Sequence, residues 1–120
     1  MQPTRRARLQ AVIQEELSLL IKRELKDPRV PSLTITAVEL SHDAGQATVF
    51  ITILGSGGDA PANEIRECLT GLASASGFLR RQLGQVVNTR WIPVLTFKED
   101  KGFANVMRIH ELLKKISDTT

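Results

Sequence analysis

At 120 residues and 13.3 kDa, with 42% hydrophobic residues, the chain has the size and apolar content of one domain with its own core. That composition excludes a disordered chain, and a single cysteine, Cys68, excludes an internal disulfide framework or a cysteine-built metal site. The formal net charge of +3 is too small to define a partner, but it is unevenly spread. Residues 1–29 carry +3, residues 30–58 and 59–72 carry −2 each, residues 73–98 carry +4 with no acidic residue, and residues 99–120 balance. An anionic partner needs this kind of asymmetry. The N-terminus lacks an apolar run of signal-peptide length and no stretch approaches a membrane span. With one lone thiol, this predicts a soluble, cytoplasmic protein with no membrane partner.

Thr4 is the predicted N-cap of a first helix running to about Lys26, with Leu9, Val12, Ile13, Leu17 and Leu20 as its apolar stripe. Asp27-Pro28 ends it, because the residue before proline is pushed out of the α region. Arg5, Arg6 and Arg8 sit at the end where the helix dipole disfavours cations, which hints at an external use. Leu33–Leu40 and Gln46–Leu54 read as two strands of a hairpin joined by the turn Ser41–Gly45. The second strand is apolar on both faces and is predicted to lie centrally in its sheet.

Gly55-Ser56-Gly57-Gly58 is a loop, after which Asp59 is the predicted cap of a helix carrying Ile65, Leu69 and Leu72, with Cys68 at the border of that stripe. Helical spacing returns over Phe78–Val87 through Leu79, Leu83, Val86 and Val87. Between them lies Ala73-Ser74-Ala75-Ser76-Gly77, too small to hold an amphipathic helix firmly in register, and glycine costs about 1 kcal/mol against alanine inside a helix. The stretch predicts a kinked helix pair whose joint is narrow, polar and followed at once by Arg80 and Arg81. A tight helix–helix packing contact is the plainer alternative. A short strand, Val94–Lys98, the turn Glu99–Gly102 and a last helix, Phe103–Ile116, complete the chain, with Val106, Ile109, Leu112 and Leu113 as the last apolar stripe. The order predicts a single α+β domain over residues 1–120, a three-stranded sheet covered by helices, with residues 1–4 and 117–120 frayed.

Catalysis by acid–base, nucleophilic or metal chemistry needs several such groups brought together. His42 falls in a turn, His110 on the last helix, and Glu99-Asp100 reads as a pair of solvated turn carboxylates. No catalytic residue, metal ligand or cofactor site is therefore predicted. Gly55-Ser56-Gly57-Gly58 matches the Gly-x-x-Gly clamp of KH domains, but it joins a strand to a helix, whereas that clamp joins two helices. Ala75-Ser76-Gly77 occupies the correct position. With no tyrosine and one tryptophan, a multi-base stacking platform is not expected. Trp91, beside Arg90 and just before the last strand, reads first as a core edge and second as a residue that stacks on a base.

These residues, in their order, resemble the ribosome-binding factor A family over nearly the whole chain. The resemblance runs through Lys26-Asp27-Pro28-Arg29, Val38-Glu39-Leu40-Ser41-x-Asp43, Ala47-x-Val49, Leu79-Arg80 and Leu83-Gly84. It continues through Arg90-x-x-Pro93-x-Leu95-x-Phe97-x-x-Asp100 and Arg108-Ile109-x-x-Leu112-Leu113. It implies a type II KH-like fold in which Ala75-Ser76-Gly77 replaces the usual clamp. It also implies a monomeric, non-catalytic factor that binds the immature 30S subunit and its 16S rRNA precursor, supports rRNA processing and is linked to growth in the cold. Lys101-Gly102 departs from the family pattern, where a serine is expected soon after Asp100. On this reading RNA meets Ala75, Ser76 and Gly77, and phosphates pair with Arg80, Arg81 and Arg90, helped by Arg5, Arg6, Arg8, Lys22 and Lys26. A basic protein-interaction module with an acidic partner is the competing expectation.

Overall fold

A computed structural model of the chain describes residues 3–54, 60–87, 89 and 91–118. The elements run α1 (Pro3–Glu24), β1 (Leu33–Leu40), β2 (Gln46–Ile53), α2 (Ala62–Val86), β3 (Val94–Glu99) and α3 (Lys101–Asp118). The strands form one sheet in the order β1-β2-β3, with β1 and β2 antiparallel and β2 and β3 parallel, so β2 is central as its sequence predicts. Cross-strand register aligns Val38, Val49 and Phe97 in one row and Leu40, Ala47 and Leu95 in the next. Strand alternation places these side chains on one buried face. The opposite face carries Thr34 beside Thr52 and Thr48 beside Thr96.

α1 packs on β1 and α2 on β3, and together they cover the buried face. α1 inserts Ile13, Leu17 and Ile21 fully or almost fully, while Val12 stays exposed, so the stripe is turned slightly from the predicted one. The register of β1 shifts between Ile35 and Ala37. Around that bulge Gln14 Nε2 donates to the Ile35 carbonyl at 2.9 Å, and Thr36 Oγ1 donates to Asp100 Oδ2 at 2.5 Å. The Asp100 amide in turn donates to the Ile51 carbonyl at 2.8 Å, which ties the end of β3 to the middle of the sheet. In the hairpin turn Ala44 takes a φ of 59°, and Asp43 accepts from the Gly45 amide and the Ser41 hydroxyl. Those two bonds, the Gly45 amide first, hold the Asp43 carboxyl below its ordinary range.

Three expectations are corrected. The predicted kinked helix pair is one uninterrupted helix, Ala62–Val86, with Ala75-Ser76-Gly77 inside it. Cys68, Leu72, Leu79 and Leu83 are all completely buried and keep one helical phase across the small residues. Each of the three leucines gains about 1.5–3 kcal/mol on burial, which outweighs the penalty of about 1 kcal/mol for one glycine. Second, α3 does not close over the sheet: Val106, Ile109, Leu112 and Leu113 are each more than half exposed. The sheet's apolar face is already occupied by α1 and α2. Third, Pro3, Thr4, Ser117 and Asp118, predicted as frayed, are helical. The predicted cap Asp59 and the loop at residues 55–58 lie outside the described residues, and Pro61 stands at the N-cap of α2. Cys68 is a central core residue, its thiol pushed up to about 11 by burial and, to a lesser degree, by Glu64.

Candidate nucleic-acid interface

The side of α2 opposite its buried leucines is open. Positions three and four residues apart on a helix are neighbours, which places Thr70, Ala73, Ser74, Gly77, Arg80, Arg81 and Gly84 along one face. All seven are exposed. Over its first two turns this face carries no long side chain. The Thr70 hydroxyl donates to the Arg66 carbonyl at 2.8 Å, Ser74 to Thr70 at 3.0 Å and Ser76 to Ala73 at 2.8 Å. The hydroxyls thus lie back along the helix, an arrangement associated with gentle bending. The result is a smooth strip that ends at two arginines.

The candidate triplet is divided by this geometry. Gly77 faces outward, and a methyl built on it would meet nothing within 4 Å. Ala75 and Ser76 are half-buried, with Ala75 packed against the core cluster. The packing alternative for a helix glycine holds at a different position, Gly71. A Cβ there would stand 2.7 Å from Val30 Cγ2 and 3.2 Å from Asp27 Oδ2. Asp27 is fixed in turn by Arg29, whose Nη2 donates to Oδ2 at 2.6 Å and whose amide donates to Oδ1 at 2.9 Å. No local pattern marks Gly71, because its partners lie some forty residues upstream. The strip residues Thr70, Ala73 and Ser74 were legible from helical spacing alone.

The basic residues fall into groups with different tasks. Arg80 reaches back to the chain after α2, donating through Nε and Nη2 to the Ile92 carbonyl at 3.0 and 2.8 Å. Arg81, one position on, is exposed, and no described residue accepts a hydrogen bond from it. Arg6 grips the hairpin turn: Nη1 donates to the Leu40 and Ser41 carbonyls and Nη2 to that of His42, each at 2.9 Å. Arg5, Arg8, Lys22 and Lys26 are exposed. At about 1.5 Å per residue, Arg8 and Lys22 stand roughly 21 Å apart along α1, so the α1 cations form two clusters rather than one. Lys22 borders a cavity of about 400 Å³ between the end of α1 and the start of β1. Arg90 lies outside the described residues.

Trp91 is 54% exposed, so it is not the core-edge residue that its place before β3 first suggests. Its carbonyl accepts from Thr89 Oγ1 at 2.9 Å. The next residue, Ile92, turns inward over Gly84, where an added methyl would lie 3.6 Å from Ile92 Cγ1. Pro93 is fully buried, and the Val94 amide donates to the Gly45 carbonyl at 2.9 Å. Among the described residues no three His, Cys, Asp or Glu side chains gather as a metal site would require. No helix of the described residues is long and apolar enough to cross a membrane.

Residues 5–113 match the family profile of ribosome-binding factor A. A ribosome-binding factor A of Pseudomonas fluorescens is 41% identical over 112 residues, spanning 93% of this chain and 82% of that one. The crystal structure of ribosome-binding factor A from Thermus thermophilus is similar with a TM-score of 0.67 at 29% identity, covering 78% of this chain and 93% of that chain. A homology model of Thermus thermophilus ribosome binding factor A, fitted into an electron cryo-microscopy map of its complex with 30S, is similar with a TM-score of 0.52 at 28% identity, over 78% of this chain and 89% of that chain.

Proposed function

This chain belongs to the ribosome-binding factor A family, and from that premise we infer that it binds the immature 30S subunit through its 16S rRNA and supports late subunit maturation and precursor processing. The observation that carries the reading is the related Thermus thermophilus factor fitted into a 30S complex. The open face of α2 supports it. We read the fold as KH-like of type II, with the strip around Gly77 admitting an RNA backbone closely and Arg81 pairing with a phosphate at its end. The stretch from Cys68 to Lys98 contains no acidic residue that would repel that backbone.

Arg81, Arg5, Arg8, Lys22 and Lys26 are assigned to phosphate contact, and Arg90 joins them from the sequence. Arg80 and Arg6 act chiefly by holding the loop at Ile92 and the hairpin turn in place, with their outer edges available to the RNA. No reaction is assigned: the work is recognition of shape and charge.

Sedimentation of a lysate through sucrose gradients at low and high salt tests the reading. The protein should travel with small subunits at low salt and leave them at high salt, because phosphate contacts release counterions. Arg81→Ala should weaken binding and lower the slope of log affinity against log salt by about 1. A protein that stays at the top of the gradient in both salts removes the ribosome reading. An association that survives nuclease treatment with its salt dependence intact points instead to an acidic protein partner.

A further inference from the structure

Resting on the RNA-binding reading above, we propose that Trp91 is a preformed stacking platform for one unpaired nucleobase at the border of the α2 strip. The chain alternates here, Ile92 inward over Gly84 and Trp91 outward, so the largest aromatic of the protein is left to solvent while a smaller aliphatic is half-buried against the core. Flexibility does not account for this. The backbone is held at Trp91 by Thr89, at Ile92 by both donors of Arg80, at Pro93 by burial and at Val94 by Gly45. With the backbone anchored here, stacking on the ring costs side-chain rotation but little ordering of the chain, and that is part of the preorganisation a binding platform needs.

Charge selects the occupant. Trp91 lies in the stretch from Cys68 to Lys98, which has no acidic residue, and the arginine that anchors its neighbour, Arg80, belongs to the same face of α2 as Arg81. The nearby hairpin turn brings Asp43, but that carboxylate is turned into its own loop by Ser41 and Gly45. A π-face one residue from the carbonyl that Arg80 holds suits a base whose phosphates are neutralised alongside, and stacking of this kind tolerates any base. Such a base must be unpaired, since in a duplex both of its faces are already covered. The assigned ligand is therefore a single-stranded or bulged nucleotide of RNA.

The chain has one tryptophan and no tyrosine, so its near-ultraviolet-excited emission reports on this position alone. The full-length protein is titrated with a single-stranded oligouridylate, with a fully paired RNA duplex of the same length, and with purified immature small subunits. The proposal expects quenching by the single strand and by subunits, and little by the duplex. Trp91→Ala should weaken subunit binding on the order of tenfold, and Trp91→Phe, which keeps an aromatic face, should restore most of it. Because Trp91 is half exposed, both variants should melt close to wild type. Unchanged emission on saturated subunits, equal quenching by duplex and single strand, or wild-type binding by Trp91→Ala would each overturn the platform while leaving subunit binding intact. Failure of the wild-type protein to bind subunits at all would instead remove the reading on which the platform rests.

Discussion

Gly71 and Gly77 are six residues apart on the same helix and serve opposite ends. Gly71 is buried, and a side chain there would run into Val30 and Asp27. Gly77 is exposed, with empty space where its side chain would be. The first glycine lets the helix approach the rest of its own chain. The second packs against nothing and leaves the α2 strip open at that point. Composition cannot separate these roles, since both residues carry the same local helix penalty of about 1 kcal/mol. What separates them is the side of the helix on which each falls.

The buried side gives the largest test. Leu72 and Leu79 are fully buried two turns apart, one before and one after the small-residue stretch. Replacing either with alanine should cost about 2–5 kcal/mol in chemical denaturation, and similar costs for the two are expected of a helix that runs in one phase past Gly77. A negligible cost at one of them would mean that the two halves of α2 do not share one core.

The glycines themselves sharpen the contrast. Gly71→Ala forces Val30 to move or α2 to lift, and overpacking of this kind costs about 1–3 kcal/mol, partly offset by the better helix propensity of alanine. Gly77→Ala meets no atom and should stabilise the protein by about 0.5–1 kcal/mol. Subunit affinity should move the other way: Gly77→Ala, and more so a bulkier Gly77→Leu, should weaken binding without loss of stability. If Gly77→Leu binds subunits like wild type, the open strip is not where RNA approaches.

Much of this architecture was legible beforehand. β1 matches its predicted limits, and β2 and β3 differ by one residue each, because β-branched runs and turn residues are local signals. The central place of β2 is as expected, although only one of its faces is apolar throughout and the other carries Thr48 and Thr52. The single helix α2 was not legible, because the local cost of Ser74, Ser76 and Gly77 is visible in the sequence whereas the burial that overrides it is a sum over β3 and α1. The two arginine clamps were hidden for the same reason: Arg6 and Arg80 find backbone carbonyls 34 to 36 and 12 residues away, and carbonyls leave no trace in side-chain chemistry. α3 shows the converse failure. Its apolar stripe is real as a pattern, but periodicity states only that a helix has an apolar face, not that the fold has a surface left to cover it.

The contact at Gly71 also carries the smallest expected effect, one that pH exposes. Asp27, which abuts Gly71, has its carboxyl lowered from 3.8 to about 2, first by the Arg29 side chain and then by the Arg29 amide. A depressed folded-state value means that the stabilisation is complete above the unfolded value near 4 and fades as pH falls through about 2. Asp27→Asn keeps the size of the side chain and removes the charge, so wild type should be slightly the more stable at pH 6. That advantage should shrink as pH falls below about 4 and be gone below about 2. The pair lies at the surface, with Arg29 exposed and Asp27 half-buried, which keeps the effect small and makes it weaker in high salt. Paired urea titrations of the two proteins at stepped pH measure it. No difference between the two proteins at any pH would show that Asp27 supports Gly71 by shape alone, and that the Arg29 pair adds nothing to the fit of α2 against the chain.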